Sequence, residues 1–115
     1  MRNNKIFGAV VIFVLVVFGI SYYFIAKSQY DLAEEFNYFP MPKNATLTEE
    51  TELGRRYNWS AVSGENGIPL TYRLIIATNG WKAIETDGNV SIYKKDNIKI
   101  KITFSTDELG IFKKP

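Results

Sequence analysis

Residues 6–26 form an apolar stretch of 21 residues without a charge, IFGAVVIFVLVVFGISYYFIA. At about 1.5 Å of rise per residue, a helix of this length spans roughly 31 Å, which matches the hydrocarbon core of a bilayer. Such a helix satisfies its own backbone hydrogen bonds in lipid, and the tyrosines at its far end suit the membrane interface. The stretch therefore predicts a single transmembrane helix, and it leaves room for one small domain after it.

The flanking charges predict the orientation of this helix. Arg2 and Lys5 precede it, whereas Lys27 is followed by the acidic residues Asp31 and Glu34. Because cytoplasmic flanks carry an excess of basic residues, we expect residues 1–5 in the cytoplasm and the chain after the helix outside.

A cleaved signal peptide is the alternative interpretation, with Ala26 and Ser28 as the small residues before a cleavage site at Gln29. The apolar stretch is longer than the hydrophobic region of an ordinary signal peptide, which favours a retained membrane anchor. A lipoprotein is excluded because the chain has no cysteine to acylate.

Residues 27–40 are predicted to be a stalk that prolongs the helix, because Pro40 and Pro42 stop a helix at that point. The folded domain is then expected over residues 41–115. Three of the 14 basic residues flank the apolar stretch, so the chain from Ser28 carries 11 basic and 12 acidic residues. The sequence pI of about 8.8 therefore does not indicate nucleic-acid binding, and an exported location argues against it too.

One helix and several strands are predicted within this domain. Residues 68–80, IPLTYRLIIATNG, have a proline in the first turn, an apolar stripe and an Asn-Gly end. Three strands follow as a meander, and residues 45–51 and 57–62 are weaker strand candidates. Residues 109–113 are expected to add a short edge strand. The prediction is an α+β fold with an antiparallel sheet of four to six strands and one helix packed on one face.

The hydrophobic pattern of the meander predicts the strand register. Three-residue loops, ending at Gly88 and Asn97, pair Ile84 with Val90 and Ile92 with Ile100. This register predicts that one face collects the apolar side chains of the meander, because a slip of one residue would expose them. The predicted apolar face consists of Ile84, Val90, Ile92, Ile98, Ile100, Ile102 and Phe104.

The composition argues against an enzyme. The chain has no histidine and no cysteine, which excludes an imidazole base, a thiol nucleophile and a cysteine zinc site. Ser91 and Lys101 become cross-strand neighbours in the predicted register, but nothing predicted there would desolvate the lysine and make it a base. Clustered carboxylates are expected to be solvated surface charges, and these are Glu49, Glu50, Glu52, Asp107 and Glu108. No cofactor and no metal are predicted.

The candidate interaction surface combines aromatic and basic side chains on the exposed sheet face. Such a face can bind an anionic polymer or a partner protein. Alternatively, the tryptophan packs inside the domain and the lysines only keep the sheet soluble. The residues of this candidate surface are Trp81, Tyr93, Lys95, Lys99 and Lys101.

The Pro-x-Pro-x-x-Ala opening at Pro40, Pro42 and Ala45, and the helix ending in Gly80-Trp81-Lys82, carry a resemblance. The domain resembles small uncharacterised exported domains of Gram-positive bacteria, which implies the fold and a cell-envelope location but no reaction. We expect a membrane-anchored, non-catalytic binding or accessory domain that contacts a membrane or envelope partner. The alternatives are a secreted or surface effector, inhibitor or immunity protein and, less favoured, an envelope-acting hydrolase.

Overall fold

The computed structural model describes residues 2–114, with side chains described from Lys5 onward. The elements in chain order are α1 (Arg2–Ser28), β1 (Tyr30–Ala33), a short 3-10 helix (Glu34–Phe36), β2 (Phe39–Pro42), β3 (Thr46–Glu50), β4 (Gly54–Asn58), α2 (Leu70–Thr78), β5 (Lys82–Asp87), β6 (Val90–Lys95), β7 (Ile98–Ser105) and β8 (Glu108–Lys114). Strands β1 and β2 form a hairpin, and the other six form one antiparallel sheet in the order β3-β4-β8-β7-β6-β5. The predicted α+β fold is confirmed, with six strands in the main sheet.

Helix α1 is long and apolar enough to cross a membrane from Lys5 to Ser28, a property that membrane anchors and signal sequences share. Most of its apolar side chains are exposed. The helix contacts the folded domain near its C-terminal end. Tyr23 packs against the core there, and Ala26 is buried with only 6% of its surface exposed. The end of α1 is therefore part of the domain's packing.

The predicted helical stalk over residues 27–40 is wrong beyond Ser28. The Ser28 hydroxyl donates a hydrogen bond to the Ile25 carbonyl at 2.6 Å, and α1 ends at this residue. The chain then enters the β1–β2 hairpin, in which Tyr30 pairs with Pro42. The hairpin forms because its apolar side chains are buried against the main sheet, which a free helix could not achieve. Those buried side chains are Tyr30, Phe36, Phe39 and Met41.

The predicted register of the meander is also wrong by one residue in β6. The loops contain two residues, so Asp87 pairs with Val90 and Lys95 pairs with Ile98. The first residue of each loop, Gly88 or Asp96, has a positive φ, as two-residue hairpin turns require. Tyr93 consequently pairs with Ile100 on the buried face. Val90, Ile92 and Lys94 lie on the opposite, open face. Strand β7 keeps its predicted orientation, with Ile100 and Ile102 buried.

Strand β8 lies inside the sheet, whereas the sequence predicted a short edge strand. It pairs with β7 along its whole length and with β4 over residues 108–112. Leu109 and Ile111 are buried on the core face because both neighbouring strands and the layer above cover them. The last strand of the chain therefore joins the β3–β4 pair to the meander.

The β1–β2 hairpin and α2 together cover the core face of the sheet. The Phe39 ring lies 5.0 Å from the Trp81 ring and 6.0 Å from the Tyr93 ring, centroid to centroid. The Tyr72 hydroxyl on α2 donates a hydrogen bond to the Pro40 carbonyl at 2.7 Å, which ties the helix to the hairpin. The opposite face of the sheet has no covering element among residues 2–114.

The sheet has a near end, next to α1, and a far end. Tyr30 follows α1 closely, and its ring lies 6.3 Å from that of Trp59. The Trp59 amide donates to the Asp107 carbonyl at 2.8 Å, so the turn between β7 and β8 belongs to the near end. The turn between β6 and β7 and the end of β8 lie at the far end, because neighbouring strands are antiparallel.

Candidate functional site

The structure divides the five residues of the predicted interaction surface between the two faces of the sheet. Trp81 and Tyr93 lie on the core side, where Trp81 is only 2% exposed and packs edge-on against Phe39. Lys95 also lies on that side, with its Nζ 6.0 Å from the centre of the Trp81 ring. Only Lys99 and Lys101 lie on the open face. The five residues therefore do not form one surface, and the alternative, that Trp81 packs inside the domain, is correct.

A different set of lysines is aligned on the open face. Lys82 pairs with Lys94, Lys94 with Lys99 and Lys99 with Lys114, on four adjacent strands. We call Lys82, Lys94, Lys99 and Lys114 the lysine row. Because neighbouring strands lie about 4.8 Å apart, the row extends roughly 14 Å across the far end of the sheet.

No carboxylate neutralises the lysine row among the residues that the structure describes. The four ion pairs found there join Lys43 to Asp31, Arg55 to Glu35 and Glu50, and Arg56 to Glu49. Like charges placed directly opposite each other on neighbouring strands destabilise a sheet. The far end of the open face is therefore an uncompensated positive surface.

An aromatic side chain with two more cations adjoins the row. The Phe112 ring lies 5.2 Å from the Arg56 guanidinium carbon and 5.5 Å from Lys101 Nζ, measured to the ring centre. Phe112 can lie flat on the sheet because Gly54 and Gly110 beneath it have no side chains: a Cβ on either residue would overlap the ring. These cation–π contacts extend the positive surface inward from the row.

Two carboxylates lie at the near end of the open face, whereas Glu85 and Glu49 lie farther along it, opposite Ile92 and Arg56. Asp87 occupies the end of β5, and Glu108 begins β8, where the Ser105 hydroxyl donates to its carboxylate at 3.4 Å. A shallow groove of about 280 Å³ lies in the same region, beside Arg56, Thr103 and Gly110. The open face is thus basic at its far end and acidic at its near end.

The residues weighed for catalysis are not brought together. Ser91 pairs with Ile102 on the core face, whereas Lys101 pairs with Ile92 on the open face, so this predicted pair does not exist. Glu49 and Glu50 are exposed and face the arginines of β4. In the described part of the chain no group of three acidic residues is placed to hold a metal ion.

A second polar recess lies on the core side, between α2 and strands β5 and β6. It is bounded by Arg73, Ser91 and Tyr93, and Arg73 is held by a 2.8 Å hydrogen bond to the Asn66 carbonyl. Burial raises the pKa of the Tyr93 phenol, and the nearby Arg73 charge opposes that rise. The phenol therefore remains protonated and can only donate or accept hydrogen bonds in this recess.

Sequence reasoning missed the lysine row because the row depends on the lengths of both meander turns and on the placement of β8 beside β7. With a three-residue loop, Lys94 does not lie opposite Lys99. With the two-residue loop Asp96-Asn97, the lysines of β6 and β7 pair directly.

No protein-family model, curated protein or solved structure matches the chain.

Proposed function

We propose that the chain is a single-pass, membrane-anchored binding domain of the bacterial cell envelope, with its N-terminus in the cytoplasm and its folded domain outside. It acts without catalysis, and the open face of the main sheet contacts the partner. The observation that carries this proposal is the positive surface of the lysine row and Lys101, which no ion pair of the described residues neutralises, on a face that no element of the described chain covers.

The way in which α1 joins the domain supports a retained anchor. Ala26 is buried, and the Lys43 amide donates a hydrogen bond to the Gln29 carbonyl at 2.9 Å, so the junction is packed on both sides. Cleavage before Gln29 would remove Ala26 and Tyr23 from the core cluster. A helix that contributes to the fold is better suited to an anchor than to a discarded signal peptide.

The same junction favours a position directly above the bilayer. A helix that spans a hydrocarbon core of about 30 Å needs about 20 residues, which places Tyr23 and Ala26 at the headgroup level. The hairpin begins at Tyr30 with one residue between it and α1. The domain then stands on the membrane without a flexible stalk, and its partner lies close to the membrane.

Cysteine labelling tests the topology, because the chain has no cysteine of its own. We expect Asn97→Cys, in the exposed β6–β7 turn, to react with an impermeant maleimide in intact cells. Asn3→Cys should react only after the membrane is permeabilised. The reverse pattern would contradict the orientation, and a mature N-terminus at Gln29 in the medium would favour the secreted alternative.

Crosslinking tests the binding face. A photoreactive amino acid at Thr103, on the open face, is expected to trap a partner in intact cells. The matched control is Ala77, which is exposed on α2 and lies on the other side of the domain. Equal products from both positions, or none from Thr103, would count against a contact through the open face.

A further inference from the structure

We propose that the lysine row binds a linear polymer that carries phosphate groups, lying across the strands at the far end of the open face. This inference rests on the proposed function, because it names the partner of the open face. The juxtaposition that carries it is the direct pairing of Lys82, Lys94, Lys99 and Lys114 on four adjacent strands.

The row has the geometry of a site for an extended chain of charges. Its four side chains follow one another at strand spacing, about 4.8 Å, so the positive charge forms a line and not a cluster. A ligand that neutralises all four ammonium groups must itself extend about 14 Å with its charges along its length. A small anion could neutralise only one or two of them.

The repulsion between the paired lysines favours the binding of such a ligand. Lys99 lies opposite a lysine on both sides, and no ion pair relieves this repulsion among residues 5–114. A polyanion replaces the repulsion with attraction and releases its own counterions as it binds. Binding should therefore weaken steeply as the salt concentration rises.

The side-chain chemistry favours a phosphate polymer over a protein partner. Protein interfaces are poor in lysine, and their strongest contacts come from tryptophan, tyrosine and arginine. Trp81 and Tyr93, which could supply such anchors, are buried on the opposite face. Lysine binds phosphate as a compact point charge, so a row of lysines needs a ligand with charges along its length and no fixed two-point geometry of the kind that arginine offers.

The position of the row separates it from the bilayer at the end of α1. Lys99 is the second residue of β7, at the far end, and Ser105 ends the strand beside the turn that contacts Trp59. Ser105 lies six steps along the strand from Lys99, which corresponds to about 20 Å. That distance exceeds the Debye length of about 8 Å at physiological salt, so lipid headgroups at the near end are not the partner of the row.

The test uses the full chain in nanodiscs of zwitterionic lipid and a fluorescently labelled inorganic polyphosphate chain as the probe. Fluorescence anisotropy at several salt concentrations gives the affinity and its salt dependence. The double variant Lys94→Gln/Lys99→Gln is expected to bind at least about tenfold more weakly, with a salt slope lower by about 2. The double variant Lys27→Gln/Lys43→Gln removes the same charge near α1 and should bind as the parent chain does.

Each contrary result overturns the proposal. Absence of binding at low salt would do so, as would equal weakening in the two double variants, which would show attraction without a site. Equally tight binding of poly-glutamate would refute the phosphate preference, and tighter binding to anionic vesicles would assign the row to lipid. If Thr103 still crosslinks in cells while polyphosphate fails to bind, the inference is wrong and the proposed function remains.

Discussion

The rings of Tyr30 and Tyr72 stack with their centroids 5.0 Å apart and their planes 3° apart. Tyr30 comes two residues after the end of α1, and Tyr72 lies in the first turn of α2. A 3.2 Å hydrogen bond between the Tyr30 and Thr71 hydroxyls holds the same two elements together. This stack is a main packing contact between the hairpin that follows α1 and the helix that covers the sheet.

Loss of the stack should destabilise the whole domain. We expect Tyr30→Ala to lower the free energy of unfolding by about 2–4 kcal/mol, because it removes a buried aromatic ring and leaves a cavity. Urea unfolding in nanodiscs, followed by tryptophan fluorescence, measures this change. Tyr38→Ala is the control, since Tyr38 is 55% exposed, and it should cost less than about 1 kcal/mol. Equal losses in the two variants would contradict the packing role of Tyr30.

The buried tyrosines should make the domain sensitive to alkaline pH. Burial raises the pKa of Tyr72 well above its ordinary value of 10.0, and burial also raises the pKa of Tyr30 despite the opposing hydrogen bond from Thr71. Above about pH 10 the unfolded chain loses phenol protons that the folded chain keeps. The stabilising contribution is therefore fully present below that pH and declines as the pH rises further.

Tyr72→Phe separates this effect from other titrations. At neutral pH the variant should lose about 1–2 kcal/mol, because the buried Pro40 carbonyl loses its 2.7 Å hydrogen bond. Above pH 10 its stability should fall less steeply than that of the parent chain, since one buried phenol is gone. Urea unfolding at a series of pH values measures both slopes, and identical slopes would show that Tyr72 does not contribute.

The elements that sequence reasoning predicted correctly are those with local signals. Helix α1 is a long apolar stretch, α2 has an apolar stripe and an Asn-Gly end, and β7 alternates strictly. Residues 27–40 were predicted to be a stalk because Pro40 and Pro42 are typical of the end of a helix, whereas the structure pairs residues 30–33 with 39–42 in a hairpin. Their burial depends on contacts with Tyr72 and Trp81, which are distant in sequence.

The sequence predicted which kinds of residue the candidate site contains but not how they are arranged, because the arrangement depends on the strand register. Basic residues on an open sheet face were expected, and Lys99 and Lys101 lie there. Trp81 was placed on the same face because it follows a helix cap and begins a strand. In the structure Phe39 covers Trp81. Because Phe39 was predicted to lie in the stalk, the sequence offered no partner that would bury Trp81, and Trp81 was therefore placed on the exposed face.

Gly110 is predicted to tolerate no side chain. A Cβ there would collide with Thr103 Oγ1 and would lie 2.6 Å from Phe112 Cε2. We expect Gly110→Ala to lower the free energy of unfolding by about 1–3 kcal/mol, the usual cost of overpacking. Gly64→Ala is the matched control, because its nearest neighbour would be Thr106 Oγ1 at 4.0 Å, and it should be close to neutral. A neutral Gly110→Ala would mean that Phe112 moves aside at little cost.

Reversing one charge in the lysine row should stabilise the domain in the absence of any ligand. Lys99→Glu converts its two repulsive pairs, with Lys94 and Lys114, into attractive ones. Since cross-strand charge pairs contribute about 0.2–1 kcal/mol each, we expect unfolding to become harder by about 0.5–2 kcal/mol at low salt. The gain should shrink at 1 M salt, where the Debye length falls to about 3 Å.

Lys101→Glu is the control for this charge reversal, since it makes the same change two residues along the same strand. Lys101 pairs with Ile92 and Phe112 and contacts the Phe112 ring, so its replacement removes a favourable contact and relieves no lysine pair. We expect this variant to be neutral or less stable than the parent chain. If both reversals stabilised the domain equally, net charge would explain the gain, and direct lysine pairing would not be the source of strain that a polyanion relieves.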